Sequence, residues 1–278
     1  MGIAGGAIYR PGESPDAGAL PPAGLALGDA WFWHAEQTLL HALVAHPRAA
    51  REHAAIRLLG FNGARLNEYI GDGAYADVVR THLAGGMRFS EFYLSGFATD
   101  ALEHGLALHD DCSDARDPAA CISPERLDLL LYHVDEGLNG IIRTIRWVGR
   151  NDTRLQPIFL NGYDYPVPDG RGFVGAHSGW ITTVMDAAGV DPSPAFRARV
   201  MRRLIDAVND EVLAAFHAPL QRVFHIDSRG SLDGLDSDGA GYKDDWEVEM
   251  YPTREGFAKI LERAWFPWLA RFGIVTGT

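Results

Sequence analysis

Eleven histidines, and aspartates placed at the ends of short apolar runs, carry most of the chemistry this sequence offers. An imidazole beside a hydroxyl takes its proton near neutral pH, and converging carboxylates orient such a base or hold a cation through oxygen. His34 stands five residues beyond Asp29, which closes the first apolar run, and could reach a pocket from the start of a helix. A partly buried or capping histidine is the simpler reading of that position. His177 precedes Ser178, the pairing of a base with a nucleophile. Adjacent side chains rarely face each other, however, and no Gly-Xaa-Ser-Xaa-Gly elbow surrounds this serine. Asp29, Asp100, Asp164 and Asp227 could together bind Mg²⁺ or Ca²⁺, but aspartate is also the common residue of helix caps and turns. No metal site and no cofactor is therefore predicted. Ser95 reads as a backbone-bonded turn serine, and Trp31, Phe32 and Trp33 read as core beneath the first helix. Asp244 and Asp245, with the Asp/Gly-rich loop before them, read as a solvated face.

The elements that must hold these residues follow from hydrophobic spacing. Short apolar runs at residues 24–28, 55–59, 89–94, 157–160 and 223–226 alternate with stretches whose apolar residues recur every three or four positions. The helical stretches are 30–46, 64–83, 124–148, 194–216 and 253–270. This rhythm predicts βα units feeding a parallel sheet. The fold class expected is α/β, a three-layer α/β/α sandwich around a flavodoxin-like five-stranded parallel sheet. Pro124 and Pro194 each follow a serine and suit the first turn of a helix. Polar insertions at 110–123 and 166–177, and a loop at 233–241, follow strands and are expected to wall one pocket at the carboxyl edge of the sheet. Residues 1–22 read as an N-terminal extension and 23–278 as a single domain, with no internal repeat.

Composition narrows the partners. A chain of 278 residues with 47% apolar and 22% charged residues has globular proportions, so disorder is excluded as its main state. Its net charge of -12, with no basic stripe, argues against nucleic acid. No apolar window approaches the roughly 18 residues that cross a bilayer, and the N-terminus lacks a basic segment followed by an apolar one. An acidic, soluble chain in the cytoplasm, without a membrane partner, is expected. Cys112 and Cys121 are expected to be reduced thiols there, and no ligand spacing for zinc surrounds them.

Five segments, in order, resemble one enzyme family. Leu27-Gly28-Asp29-Ala30 stands where the SGNH (GDSL-type) hydrolases carry Gly-Asp-Ser. Asn62-Gly63-Ala64-Arg65 stands at their second-block glycine, and Ser95-Gly96-Phe97-Ala98-Thr99-Asp100 is similar to a third block ending Gly-Asn-Asp. Asn161-Gly162-Tyr163-Asp164-Tyr165-Pro166 looks like the fourth-strand segment of one bacterial branch. Asp245 through Thr253 resembles the terminal block, where an Asp or Asn stands three residues before a catalytic histidine.

The resemblance implies ester hydrolysis by a serine with a histidine base, the oxyanion being held by backbone N–H groups and an asparagine amide. Against that pattern this chain has Ala30 at the nucleophile, Thr99 at the asparagine, Tyr251 at the histidine and Val248 three residues before it; Asp29 and Gly63 remain. A methyl group cannot attack a carbonyl, and tyrosine, with an ordinary pKa of about 10, is a poor base at neutral pH. The sequence therefore predicts an inactive homologue whose pocket, formed by Asp29, Ala30, Gly63, Thr99, Asp100, Tyr163, Asp164, Val248 and Tyr251, binds a small molecule or a protein partner behind an acidic rim. The alternative is an active acyl-ester or carbohydrate-ester hydrolase using non-family residues such as His34, His177 and Ser178.

Overall fold

The computed structural model describes residues 6–34, 37–85, 88–151, 155–173, 179–235 and 241–277. Strands β1 (Ala7–Tyr9), β2 (Gly24–Gly28), β3 (Ala55–Gly60), β4 (Glu91–Ser95), β5 (Ile158–Asn161) and β6 (Val223–Ile226) form one parallel sheet in the order β1-β3-β2-β4-β5-β6. Five of them are the apolar runs of the sequence; the sixth corrects the expected five-stranded count. β1 lies in the stretch read as an extension, and its three residues are too few to stand out as an apolar run. Its partner defines it: Ile8 lies opposite Ile56 on β3. Arg57 of β3, buried at 4% exposure, fastens the chain after β1 by donating to the carbonyls of Arg10 at 2.6 Å and Glu13 at 2.8 Å.

The helices are α1 (Ala30–Trp33), α2 (Leu39–Ala45), α3 (Ala76–Ala84), α4 (Ala98–Glu103), α5 (Pro124–Val148), α6 (Trp180–Ala187), α7 (Pro194–Ala207), α8 (Tyr242–Asp245), α9 (Arg254–Ile260) and α10 (Phe266–Leu269). Every residue of β2 to β6 is buried, so both faces of the sheet are covered, as a parallel sheet requires. From β2 the chain steps to one side to reach β3, then crosses back past β2 to β4. Right-handed crossovers accordingly place α2 on one face and α3 and α5 on the other. α2 packs on α9, and α3 on α5. A small antiparallel hairpin, β7 (Trp246–Val248) and β8 (Tyr251–Pro252), precedes α9. Among the described residues no helix is long and apolar enough to cross a membrane.

Four of the five helical expectations are corrected. The pattern at 30–46 divides because Thr38 caps a new helix, its hydroxyl accepting from the His41 N–H at 3.1 Å. The pattern at 64–83 is interrupted by the Gly71-Asp72-Gly73 turn, leaving a single 3₁₀ turn at Leu66–Tyr69 before α3. Wide π turns follow α7 at Val208–Val212 and α9 at Leu261–Trp265. α5 agrees with its expected bounds: Ser123 accepts from the Arg126 N–H at 3.4 Å, Pro124 opens the first turn, and Leu127, Leu130, Val134, Leu138, Ile141 and Ile145 make one buried stripe. Ser193 makes no such side-chain bond. Asp245 is not part of a solvated face. It is fully buried, accepting from the Asp233 N–H at 2.8 Å and from Lys259 Nζ at 2.5 Å, while Asp244 is exposed. Cys112 and Cys121 are buried free thiols.

Gly137 lets α5 approach the loop after β3, since a Cβ there would lie 2.5 Å from Leu66 Cβ. Gly137→Ala should therefore destabilise by about 1–3 kcal/mol, overpacking outweighing a helix-propensity gain of about 1 kcal/mol. Urea unfolding measures this; a more stable variant would show that α5 can move away.

Candidate functional site

The strand order reverses at β2, with β3 on one side and β4 on the other, so the crevice where parallel α/β sheets bind ligands opens beyond the carboxyl ends of β2 and β4. Asp29 stands there. It caps α1, accepting from the Trp31 N–H at 3.2 Å, and its side chain turns under the sheet edge. Ser95, at the end of β4, donates to Asp29 Oδ1 at 3.0 Å, and the Tyr163 hydroxyl donates to Asp29 Oδ2. Ser95 Oγ also lies 2.9 Å from Tyr163 Oη and accepts from Asn161 Nδ2 at 3.2 Å. All four residues are buried. Burial pushes Asp29 above the usual carboxylate range, and the bonds from Tyr163, Ser95 and Trp31 offset this only in part. Burial and the neighbouring Asp29 likewise hold the Tyr163 phenol well above its ordinary value.

The other segments close around this centre. Asp100, at 4% exposure, accepts from the Leu66 N–H at 3.3 Å and joins the second segment to the third. Trp31 packs on Tyr163 with ring centroids 4.8 Å apart and donates through Nε1 to the Met250 carbonyl at 2.9 Å, joining the first segment to the last. Asp164 accepts from the N–H groups of Tyr165, Gly230 and Leu232 at 2.7, 2.8 and 2.7 Å, which fastens the loop after β6; burial still pushes its pKa up to about 6. Tyr251 is buried and donates to the Gln37 carbonyl, with Val248 opposite it in the hairpin. Burial first, then Asp29, raises its pKa far beyond any basic role near neutrality. Ala30 and Thr99 are half-buried. Gly63 stands apart on an exposed turn, where its φ of +71° explains the glycine without any oxyanion.

At this edge the described residues enclose an apolar cavity of about 20 Å³, lined chiefly by Trp31, Phe97, Tyr163, Met201, Trp246 and Met250. That is room for about one water. Residues 110–123 contribute nothing to its lining, and the described part of 166–177 contributes Pro166, while residues 174–177 and 236–240 of the expected walls lie outside the described residues. The expected acidic rim is corrected as well: Asp29, Asp100 and Asp164 are interior groups occupied by hydrogen bonds. Asp227 is bound by Arg229 at 2.7 Å, whose guanidinium also reaches Asp206 and Asp210. Among the described residues no group of three or more His, Cys, Asp or Glu side chains is gathered to hold a metal ion.

A crystal structure of the lipase Lip_vut3 from a goat rumen metagenome is similar over 87% of this chain and 95% of its own, with a TM-score of 0.52 at 14% identity. The chain has the SGNH-hydrolase fold. An extracellular lipase from Streptomyces rimosus covers 88% of the chain and all of its own length at TM-score 0.46 and 13% identity. A Bacteroides ovatus protein described as GDSL-like covers 93% of the chain at TM-score 0.49 and 11% identity, and the chain spans only 55% of that protein. No protein-family model and no curated protein matches the chain.

Within the SGNH fold, His34 ends α1 and packs between Phe173 and Tyr251, with centroids 5.2 and 4.9 Å away. Its Nδ1 has no hydrogen-bond partner among the described residues. His177 and Ser178 lie outside the described residues. Trp31 and Phe32 are core and Trp33 is half-buried. Ser95 departs from its expected role, bonding side chains and not backbone. Sequence reasoning missed Asn161 and Glu249. Glu249 is fully buried and caps α6 by accepting from Ile181 at 2.8 Å and Thr182 at 3.2 Å. The available signals were slight: Asn161 closes an apolar run, and Glu249 alternates with apolar residues as Glu247 does.

Asp100 supplies a test of this buried electrostatics. Burial is the largest cause that pushes its carboxyl up to about 7 from an ordinary 3.8, with Asp29 adding and the Leu66 N–H and Arg65 opposing. Between those values the native state keeps a proton that the unfolded chain has lost, so stability falls as pH rises, by about 1.4 kcal/mol per pH unit. Asp100→Asn removes this titration. The variant should gain on the wild type progressively between pH 4 and 7 in urea unfolding, and a pH-independent difference would contradict the assignment.

Proposed function

We propose that this chain is an SGNH-fold protein that does not hydrolyse esters and works as a protein-interaction module. The observation that carries the reading is the small cavity at the carboxyl edge of the sheet: among the described residues it has room for about one water beside Trp31, Tyr163 and Met250. Ala30 has no nucleophilic atom, the Tyr251 hydroxyl is committed to the Gln37 carbonyl, and Asp29 is bound by Ser95 and Tyr163. A small-molecule ligand of ordinary size does not fit such a site, which favours a partner recognised on the outer surface. The acidic charge of -12 makes nucleic acid an unsuitable partner.

The test is labelling by a fluorophosphonate together with turnover of short aryl esters. Neither should exceed the buffer background, and Ala30→Ser alone should stay within about tenfold of it, since a serine gains little without its base and oxyanion donor. The rival reading, hydrolysis through His34, His177 and Ser178, draws on the unpartnered Nδ1 of His34. Turnover that disappears in Ser178→Ala or His34→Ala would establish that reading and overturn the first.

A further inference from the structure

α5 buries one stripe against the sheet and leaves another uncovered. Leu129, Tyr132 and Trp147 are 47%, 58% and 67% exposed, large apolar side chains that a solvated helix face would normally replace with polar ones. With the exposed Glu136 and Arg143, they follow one another at intervals of 3, 4, 7 and 4 residues, which at 3.6 residues per turn places all five on one narrow stripe. Neither Glu136 nor Arg143 forms an ion pair among the described residues.

Four of these five residues are also placed symmetrically, while the fifth, Leu129, would face Arg150 of a copy, the cation that stacks on Trp147. Tyr132 and Trp147 are equally distant from the point between Asn139 and Gly140, and so are Glu136 and Arg143. Charge divides at nearly the same place: Glu125, Asp128, Asp135 and Glu136 precede it with one cation, Arg126, which is paired with Asp110, whereas Arg143, Arg146 and Arg150 follow it with no acidic residue between Gly137 and Val148. A two-fold axis crossing α5 at this point would set each helix antiparallel to its copy. Tyr132 would then face Trp147 of the copy and Glu136 would face Arg143, twice over, with the two helix dipoles opposed. The patch continues past the helix end. Arg146 donates to the carbonyls of Gln156 and Gln221, each at 2.8 Å, beside the exposed Leu155 and Leu220.

We propose that this face of α5 binds a second copy of the same chain, as an antiparallel, isologous dimer. A chain that strongly acidic repels its copies in general, so a dimer requires a local surface where opposite charges meet, and this stripe is self-complementary in both charge and apolar contact. The proposal gives a partner to the interaction role above without resting on the loss of hydrolysis, because an active enzyme would dimerise by the same face.

Sedimentation equilibrium of the full chain tests it. The expected species has twice the 30.4 kDa mass of the chain. Glu136→Arg or Arg143→Glu alone sets like charges opposite each other at two places and should weaken the dimer about tenfold or more, while the double variant Glu136→Arg with Arg143→Glu restores both pairs and most of the affinity. Trp147→Glu should leave a monomer with an unchanged circular dichroism spectrum. A chain that stays monomeric at every concentration, a dimer indifferent to the single charge reversals, or a double variant no better than the singles would each overturn the proposal. Esterase activity in any of these variants would count against the reading of the crevice and leave the dimer standing.

Discussion

A carboxyl group buried at the point where the sheet reverses direction organises this molecule. Asp29 is at 1% exposure, and a carboxyl removed from water must find donors or keep its proton. Its donors come from three different parts of the chain: the Trp31 N–H at the start of α1, the Ser95 hydroxyl at the end of β4 and the Tyr163 hydroxyl beyond β5. Satisfying one side chain thus brings the ends of three neighbouring strands into register. One of these residues, Tyr163, also lines the small cavity at that edge.

Around that centre, further buried carboxyl groups are bound by the protein's own backbone. Asp164 collects backbone donors from the loop after β6, Glu249 does the same for α6, and Asp100 holds the turn after β3. Each is a carboxylate placed where the fold needs an acceptor. The arrangement ties the loops at the carboxyl edge of the sheet to one another.

The sheet was legible because buried parallel strands are continuous apolar runs, and β2 and β6 match their runs residue for residue. β1 was not, because three residues acquire strand character only from the neighbour they pair with. Composition misled in the case of Asp245 and of the acidic rim: an aspartate in a polar segment looks solvated until a lysine fourteen positions away, Lys259, is seen to bind it. Ser95 and Asn161 show the limit most plainly. Their identities are ordinary for strand ends, and their roles depend on the partner each strand meets across the sheet, which pairing order decides and local pattern does not.

β1 bears on how the molecule tolerates change at its beginning. A strand at the edge of a sheet offers a row of unpaired main-chain donors and acceptors to any passing chain, and a very short edge strand limits that offer. With β1 in place the outermost ladder is only three residues long; without it the edge would be β3, a six-residue strand apolar but for Arg57. Arg57 would at the same time lose the carbonyls of Arg10 and Glu13, leaving a buried guanidinium without the acceptors that now satisfy it. The first segment of the chain is thus a cover against unwanted strand addition as much as a part of the sheet, and trimming it would convert a closed margin into an adhesive one.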